Sequence, residues 1–387
     1  MLPCSQVRFV HLGMSWIGEW AGGLERYQDG ICRAHAAMGC SVEAWVQSRT
    51  PIEEDVGYGV RAYASPVQPR SEKLSNLRSL ATARVATPDF IFVSHHASVS
   101  SVLVKKLQGI PHVVHFHGPW AEESSVEGVP RWKTWLQRRA ERKAYQSADR
   151  IITLSHAFAR LVVDRYNVDP DRVHVVPGGI DYAKKDPNLP RQDAREKLRW
   201  PTDRPILLSV RRLVRRVGID VLIEAAEGLA RKHPDLLILI GGIGPLESEL
   251  QRKITQMGMG DYVRLLGFLP DDMLPIAYAA ADYSIVPTQS LEGFGLVTIE
   301  SMAAGTPPIV TPVGSLPEIA RPLCEDLVLK GHGKSEIVDG VSQILSGSIK
   351  LPNARECKEY VRQNFDWNVI APKVLEVYRR AQDPSSR

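Results

Sequence analysis

Short runs of apolar and β-branched residues recur along the chain, separated by stretches whose apolar positions repeat every three to four residues. That alternation predicts βα units feeding parallel sheets, hence an α/β protein. In the first half the expected strands are VRFVHLG (7–13), SVEAWVQ (41–47), DFIFVSHH (89–96), HVVHFHG (112–118), DRIITLS (149–155) and RVHVVPG (172–178). The second half restarts the cycle with ILLSVRR (206–212), LLILIGG (236–242), YVRLLGF (262–268), YSIVPT (283–288), PIVTPV (308–313) and DLVLKG (326–331). Between the two sets lies GGIDYAKKDPNLPRQD (178–193), rich in Gly, Pro and charge and without a period. A hinge is expected there, joining two doubly wound domains that face each other.

With 387 residues, 44% hydrophobic and 24% charged, the chain has enough apolar material for two cores of similar size and is no small stapled scaffold. Its longest apolar run, LLILIGGIGPL, is broken by glycines and a proline, short of the roughly 18 residues a membrane span needs. MLPCSQVRFVHLG has no cationic region followed by an apolar one and a small-residue cleavage site, so a cytoplasmic protein is expected. Five scattered cysteines without CxxC spacing point to reduced thiols. A net charge of +4 is too mild to imply a nucleic-acid partner.

Ligands of such sheets bind beyond the carboxyl ends of the strands, and the chemistry-bearing segments follow strands here too. Gly22 and Gly23 precede a helix running to about Met38, where backbone N–H groups and the helix N-terminus favour an anion; a flexible turn is the plainer alternative. His95, His96, His115 and His117 stand at two strand ends. No metal is expected, because no Cys or carboxylate of fitting spacing accompanies them and alternate strand residues point to opposite faces. His117, followed by Gly118 and Pro119, leaves the sheet at its edge, which suits a hydrogen-bonding or polarising role or a satisfied structural histidine. SVRRLVRRVGID places Arg211, Arg212, Arg215 and Arg216 between a strand and a helix, where guanidiniums can hold a diphosphate. In GGIGPLE, Gly242 and Gly244 imitate a dinucleotide fingerprint, but Glu247 replaces its third glycine.

The segment SLEGFGLVTIESMAAGTPPIVTPVGSLPEI (290–319) carries the most information. Glu292 lies in a loop between strand and helix, Gly293 and Gly295 open the backbone, and from about Leu296 a helix sets Leu296, Ile299 and Ala303 on its apolar face and carries Glu300. Two such carboxylates can accept hydrogen bonds from sugar and ribose hydroxyls. Asp169-Pro170-Asp171 mimics a cation-binding DxD but falls between a helix and a strand, and reads as a turn. RWKTWLQRRAERKAYQS (131–147) is helical in period, with six basic side chains against Glu141 and with Trp132 and Trp135 near its start. It offers itself to an anionic membrane surface or forms a solvated helix face.

Taken together, GGLER, HFHG, ADRIITLS, VVPGGID, RRLVRRVGID, GGIGPLESEL, EGFGLVTIESMAAGTPPIVTPVGSLPEI and FDWNVIAPKVLEVY, in this order, resemble the family 4 retaining glycosyltransferases, also called glycosyl transferases group 1. The resemblance implies a GT-B fold: an acceptor-binding Rossmann-like domain over 1–182, a nucleotide-sugar-binding one over 183–366, and a last helix (367–383) crossing back to the first. It also implies roles. Gly22 and Gly23 match the loop near the donor phosphates, His117 the histidine near the donor sugar, and Arg212 the diphosphate arginine. Glu292 and Glu300 match the two glutamates of an E-x7-E motif, the second holding ribose. Gly242 and the backbone of Phe294, Gly295, Leu296 and Val297 match donor contacts. Two departures stand out. Val217 replaces a usual lysine, whose place Arg215 or Arg216, preferably Arg216, would take, and Arg211 stands where glycine is usual.

The activity implied is metal-independent, cofactor-free transfer of a hexose from a nucleoside-diphosphate sugar to an acceptor hydroxyl. The acceptor is a sugar, a lipid-linked sugar or a small molecule, recognised by the loops near 14–21, 48–75 and 118–130, where Trp16, Trp20 and Trp120 could stack on sugar rings. A non-catalytic nucleotide-sugar or glycan binder and a GT-B glycosyl phosphorylase are the alternatives.

Overall fold

The structure is a computed structural model that describes residues 8–20, 22–52, 55–86 and 90–382. The chain divides into two compact units, Met1–Gly179 with Trp367–Arg387, and Ile180–Asp366.

Unit 1 runs β1 (Arg8–Ser15), α1 (Gly23–Ala37), β2 (Ser41–Gln47), β3 (Gly59–Ala64), α2 (Arg70–Val85), β4 (Ile91–Ser94), α3 (Ala97–Ser100), β5 (His112–Phe116), α4 (Trp120–Val126), α5 (Arg131–Ser147), β6 (Arg150–Thr153), α6 (His156–Tyr166) and β7 (Val173–Val175). Its sheet has the order β3-β2-β1-β4-β5-β6-β7, with parallel pairings throughout. Period-two alternation decides what each face packs against. Val10, Leu12, Trp45 and Phe92 join one buried cluster with Leu77 and Leu103, whereas Phe9 and His11 point the other way, toward Tyr378.

Unit 2 runs α7 (Tyr182–Lys185), α8 (Arg191–Leu198), β8 (Ile206–Val210), α9 (Ile219–Lys232), β9 (Leu237–Gly241), α10 (Glu247–Gln256), β10 (Val263–Gly267), α11 (Leu274–Ala280), β11 (Tyr283–Val286), α12 (Leu296–Ala303), β12 (Pro308–Val310), α13 (Leu316–Ala320), α14 (Lys334–Leu345) and α15 (Ala354–Asn364). Its five-stranded sheet has the order β10-β9-β8-β11-β12. Both faces are covered: Leu207, Ile238 and Ile285 pack with Leu222 and Val341, while Ile206, Leu208 and Leu237 pack with Leu274 and Tyr278. The last helix, α16 (Trp367–Gln382), belongs to unit 1. It buries Ile370, Val374, Leu375 and Tyr378, at about 1.5–3 kcal/mol for each large apolar side chain.

In both sheets the strand order reverses beside the first strand, between β1 and β4 and between β8 and β11, the Rossmann-like switch where ligand loops gather.

Four expectations need correction. Residues 326–331 are not a strand. A turn at Glu325–Leu327 is followed by one bridge, Val328 to Val310, because Leu327 and Leu329 spend their apolar surface in the core rather than in a ladder. Strand β3, within a segment read as loop, is an edge strand whose first four residues escape burial, leaving little alternation to read. The 178–193 segment is no plain linker, since it contains α7 and the start of α8. Cys32, Cys324 and Cys357 are free thiols, but Cys40 is disulfide-bonded.

Candidate functional site

In unit 1 the strand ends bring imidazoles together. His115 and His117 are two apart and share a face, and His95 follows β4, the neighbouring strand, so three of the four strand-end histidines converge. Their nitrogens lie within 4.8 Å of one another, which corrects the expectation that alternation would scatter them. His96 instead faces Trp120, with ring centroids 5.2 Å apart. His11 of β1 extends the cluster: its Nδ1 is 2.9 Å from His95 Nε2, and His95 Nδ1 is 3.3 Å from His117 Nε2. His115 is held separately by the hydroxyls of Tyr27 (3.1 Å) and Tyr378 (2.7 Å). Burial, reinforced by neighbouring imidazoles, holds His11, His95 and His115 well below the usual histidine range and His117 at about 3, so all are neutral at physiological pH.

His95, His115 and His117 are the residues that could hold a metal ion. Their lone pairs and N–H groups are largely spent on one another and on the tyrosines, so ligation would need those hydrogen bonds to break. Gly22 is the N-cap of α1 without a side-chain cap, and Glu25 in the first turn is buried with its carboxyl pushed up by burial.

In unit 2 the loops after β8 and β11 are laced together. Arg211 Nη2 donates to Glu292 Oε2 at 2.5 Å, Thr288 Oγ1 donates to the same oxygen at 2.9 Å, and Arg216 Nη1 donates to Leu291 O at 3.2 Å. Gln289 N and Ser290 N donate back to Arg216 O, and Ser315 N, from the loop after β12, donates to Glu292 O. Burial alone would raise the Glu292 carboxyl, but Arg211 and Arg216 outweigh it and hold it below the usual carboxylate range. Leu291 sits at φ +56, a strained conformation for a non-glycine residue.

The remaining expected residues fall around this centre. Arg212 is exposed, with no side-chain partner among the described residues. Arg215 is drawn away, its Nη2 lying 3.4 Å from Glu249 on α10. Val217 is buried in the core, so position 217 offers no phosphate cation. Gly295, at φ +76, is the N-cap of α12 and leaves the first N–H groups of Leu296 and Val297 without a side-chain cap. Thr298 Oγ1, in that same turn, is buried without a partner. Phe294 is buried, its ring 6.0 Å from Phe365. Gly242 has φ +131, and a Cβ there would lie 1.9 Å from Arg211 O, so only glycine lets the two loops close up.

Glu300 is buried and bound by Lys185 Nζ at 2.8 Å. Nothing in the sequence pointed to Lys185, which lies in the segment read as linker. Arg211, expected among the diphosphate guanidiniums and as a departure from glycine, is instead the ion partner of Glu292.

The family model described as "Glycosyl transferases group 1" matches residues 190–364, and that described as "Glycosyltransferase Family 4" matches residues 21–184. The D-inositol 3-phosphate glycosyltransferase of Thermomonospora curvata is 33% identical over 301 residues, which cover 73% of this chain and 68% of that protein. Among solved structures, sucrose-phosphate synthase from Thermosynechococcus elongatus superposes with a TM-score of 0.80 at 24% identity, over 96% of this chain and 98% of that one. Anabaena HepE in complex with UDP-glucose superposes with a TM-score of 0.78 at 18% identity, over 96% of this chain and 99% of that one.

Proposed function

This chain belongs to family 4 of the glycosyltransferases, and from that premise we propose that it moves a hexose from a nucleoside-diphosphate sugar to an acceptor hydroxyl, with retention at the anomeric carbon and without a metal ion. The observation that carries this reading is the arginine-rich loop laced to Glu292 at the strand-order switch of unit 2.

The barrier is departure of a diphosphate from an oxocarbenium-like carbon. Arg212, exposed and unengaged among the described residues, and Arg216 supply guanidiniums for the leaving group, and the uncapped N–H groups of Leu296 and Val297 add the positive end of α12. Ionised Glu292 is an acceptor only, suited to hydroxyls of the transferred sugar, and Glu300 suits the ribose. His117, neutral and at the edge of unit 1, hydrogen-bonds substrate oxygen. The departing phosphate oxygen takes the acceptor proton on the same face, so no protein base is needed.

The UDP-glucose bound to the Anabaena protein makes uridine donors the first to try, and the Thermomonospora relative adds inositol phosphates to the sugar, lipid-linked and small-molecule acceptors worth testing. No helix of the described residues is long and apolar enough to cross a membrane. Helix α5 turns Thr134, Glu141 and Tyr145 inward and exposes Trp132, Trp135 and Leu136 beside Arg139 and Lys143, a face fitted to rest on an anionic inner-leaflet surface. Serine at 132, 135 and 136 should abolish sedimentation with anionic vesicles.

Buried Val217 is the one observation that favours the second reading, a non-catalytic binder. Thermal stabilisation by UDP, GDP, ADP and dTDP, followed by turnover of the matching sugar nucleotide in EDTA, separates the two. Turnover lost in Glu292→Ala and Arg212→Ala supports the transferase; binding with no turnover under any acceptor supports the binder. Phosphate-dependent cleavage of a disaccharide without nucleotide would instead indicate a phosphorylase.

A further inference from the structure

We propose that His11 and His95 are positioning residues that lock His117 in the Nδ1–H tautomer, making it a hydrogen-bond donor to substrate oxygen and barring it from acting as a base. The inference rests on the reading of His117 as a substrate-contacting residue, and it deepens that reading.

Hydrogen-bond accounting along the string fixes the direction of every proton. A neutral imidazole has one N–H and one lone pair, so each must donate at one nitrogen and accept at the other. His11 Nε2 is buried without a partner. An orphaned buried N–H is costlier than an orphaned lone pair, so His11 carries its proton on Nδ1. That N–H points at His95 Nε2, 2.9 Å away, which must therefore be the acceptor. His95 then carries its proton on Nδ1 and donates it to His117 Nε2 at 3.3 Å. With Nε2 accepting, His117 keeps its proton on Nδ1, the ring nitrogen that makes no hydrogen bond among the described residues. His11 and His95 are 0% and 1% exposed, whereas His117 is only partly buried, so the string opens at His117.

The surroundings keep the string neutral. The other titratable groups around it are His35, Tyr27, His115 and Tyr378, all deeply buried, and the partly buried His96 beside His117, and no carboxylate forms an ion pair with any of its three imidazoles among the described residues. His115 does not compete for these protons, since its two nitrogens are taken by Tyr27 and Tyr378. A substrate oxygen near His117 therefore meets a fixed N–H. The group it fits is a sugar hydroxyl or phosphate oxygen with a free lone pair, and a substrate N–H or an oxygen needing deprotonation does not fit.

The test is multiple-bond proton–nitrogen correlation on protein labelled with nitrogen-15 histidine at pH 7.5, with signals assigned by single His11→Asn, His95→Asn and His117→Asn variants. Nδ1–H forms are expected at all three positions, the reverse of the Nε2–H form that free histidine prefers. His95→Asn can still present an N–H toward His117, whereas His95→Leu cannot. The first should keep the His117 Nδ1–H signal and kcat within about threefold, and the second should lose the signal and about tenfold in kcat, with donor KM little changed, as for one hydrogen bond made in the transition state. His117 carrying its proton on Nε2, or charged, overturns the inference whether or not the enzyme is active. If His95→Leu does not fold, the wild-type spectrum alone decides. Nδ1–H tautomers in a protein without transferase activity would leave this proton assignment standing and remove the transferase reading instead.

Discussion

Lowering the pH from 7 to 5.5 is expected to unfold unit 1 while unit 2 stays folded. Burial holds eight imidazoles of unit 1 below the free-histidine value of 6.5: His35, His96 and His112 at about 4, His117 at about 3, His11, His95 and His115 well below that value, and half-buried His174 also below it. A base whose affinity for protons is depressed by folding lends stability above its unfolded pKa and withdraws it as the pH falls toward the folded one. Between pH 7 and 5.5 each of the seven other than His174 therefore withdraws about 1.2 kcal/mol, set by protonation of the unfolded chain, or about 8 kcal/mol together. The buried Glu141 carboxyl, pushed up to about 7 by burial, opposes this, because protonation relieves it, and returns about 2 kcal/mol. The remaining loss, about 6 kcal/mol, matches the whole stability of an ordinary domain. Unit 2 has only His233 and His332, neither buried. Seven of the eight tryptophans, all but Trp200, lie in unit 1, so intrinsic fluorescence reads that unit. Hydrogen exchange over β1, β4 and β5 against β8, β9 and β11 resolves the two units. Intact emission and slow exchange in unit 1 at pH 5 would refute the reasoning, as would unit 2 unfolding first.

Three further outcomes are expected. Arg211→Ala removes one partner of a buried pair and should cost about 3 kcal/mol at pH 7. Glu292 is depressed by that pair, so the deficit should shrink as the pH falls through its range and nearly vanish in an Arg211→Ala/Glu292→Gln background, read by urea unfolding. Gly242→Ala forces a Cβ against Arg211 O and should destabilise unit 2 by about 3 kcal/mol or more, whereas Gly258→Ala, at φ +66 but with open space around it, should cost about 1 kcal/mol in the same thermal melts. Lys185→Met leaves buried Glu300 without its ion partner and should raise donor KM about tenfold with kcat nearly unchanged in initial-rate kinetics.

The two Rossmann-like layers were legible because buried parallel strands read as apolar runs, and ILLSV, LILIG and IFVS could hardly be anything else. What escaped the sequence was decided by packing rather than pattern. Half-exposed β3 gave no clear alternation, and Leu327 and Leu329 imitated a strand because a core-filling turn uses the same residues. At the site, Glu292, Gly295 and Glu300 could be read from local order, since loop, N-cap and helix follow one another in the chain. Their partners could not. Arg211 and Lys185 reach their glutamates across 81 and 115 positions of sequence, and His11 joins His95 across 84, distances over which no periodicity carries information. The convergence of His95, His115 and His117 could have been anticipated from two facts: residues two apart share a strand face, and β4 and β5 are neighbours.

The most direct test of the account is the anomeric configuration of the product formed from a sugar nucleotide in the presence of EDTA, read by proton NMR early in the reaction. A glycoside with the donor's own configuration is expected, formed at an undiminished rate without metal and absent with Glu292→Ala. An inverted product, or turnover that appears only when a divalent cation is restored, would contradict it.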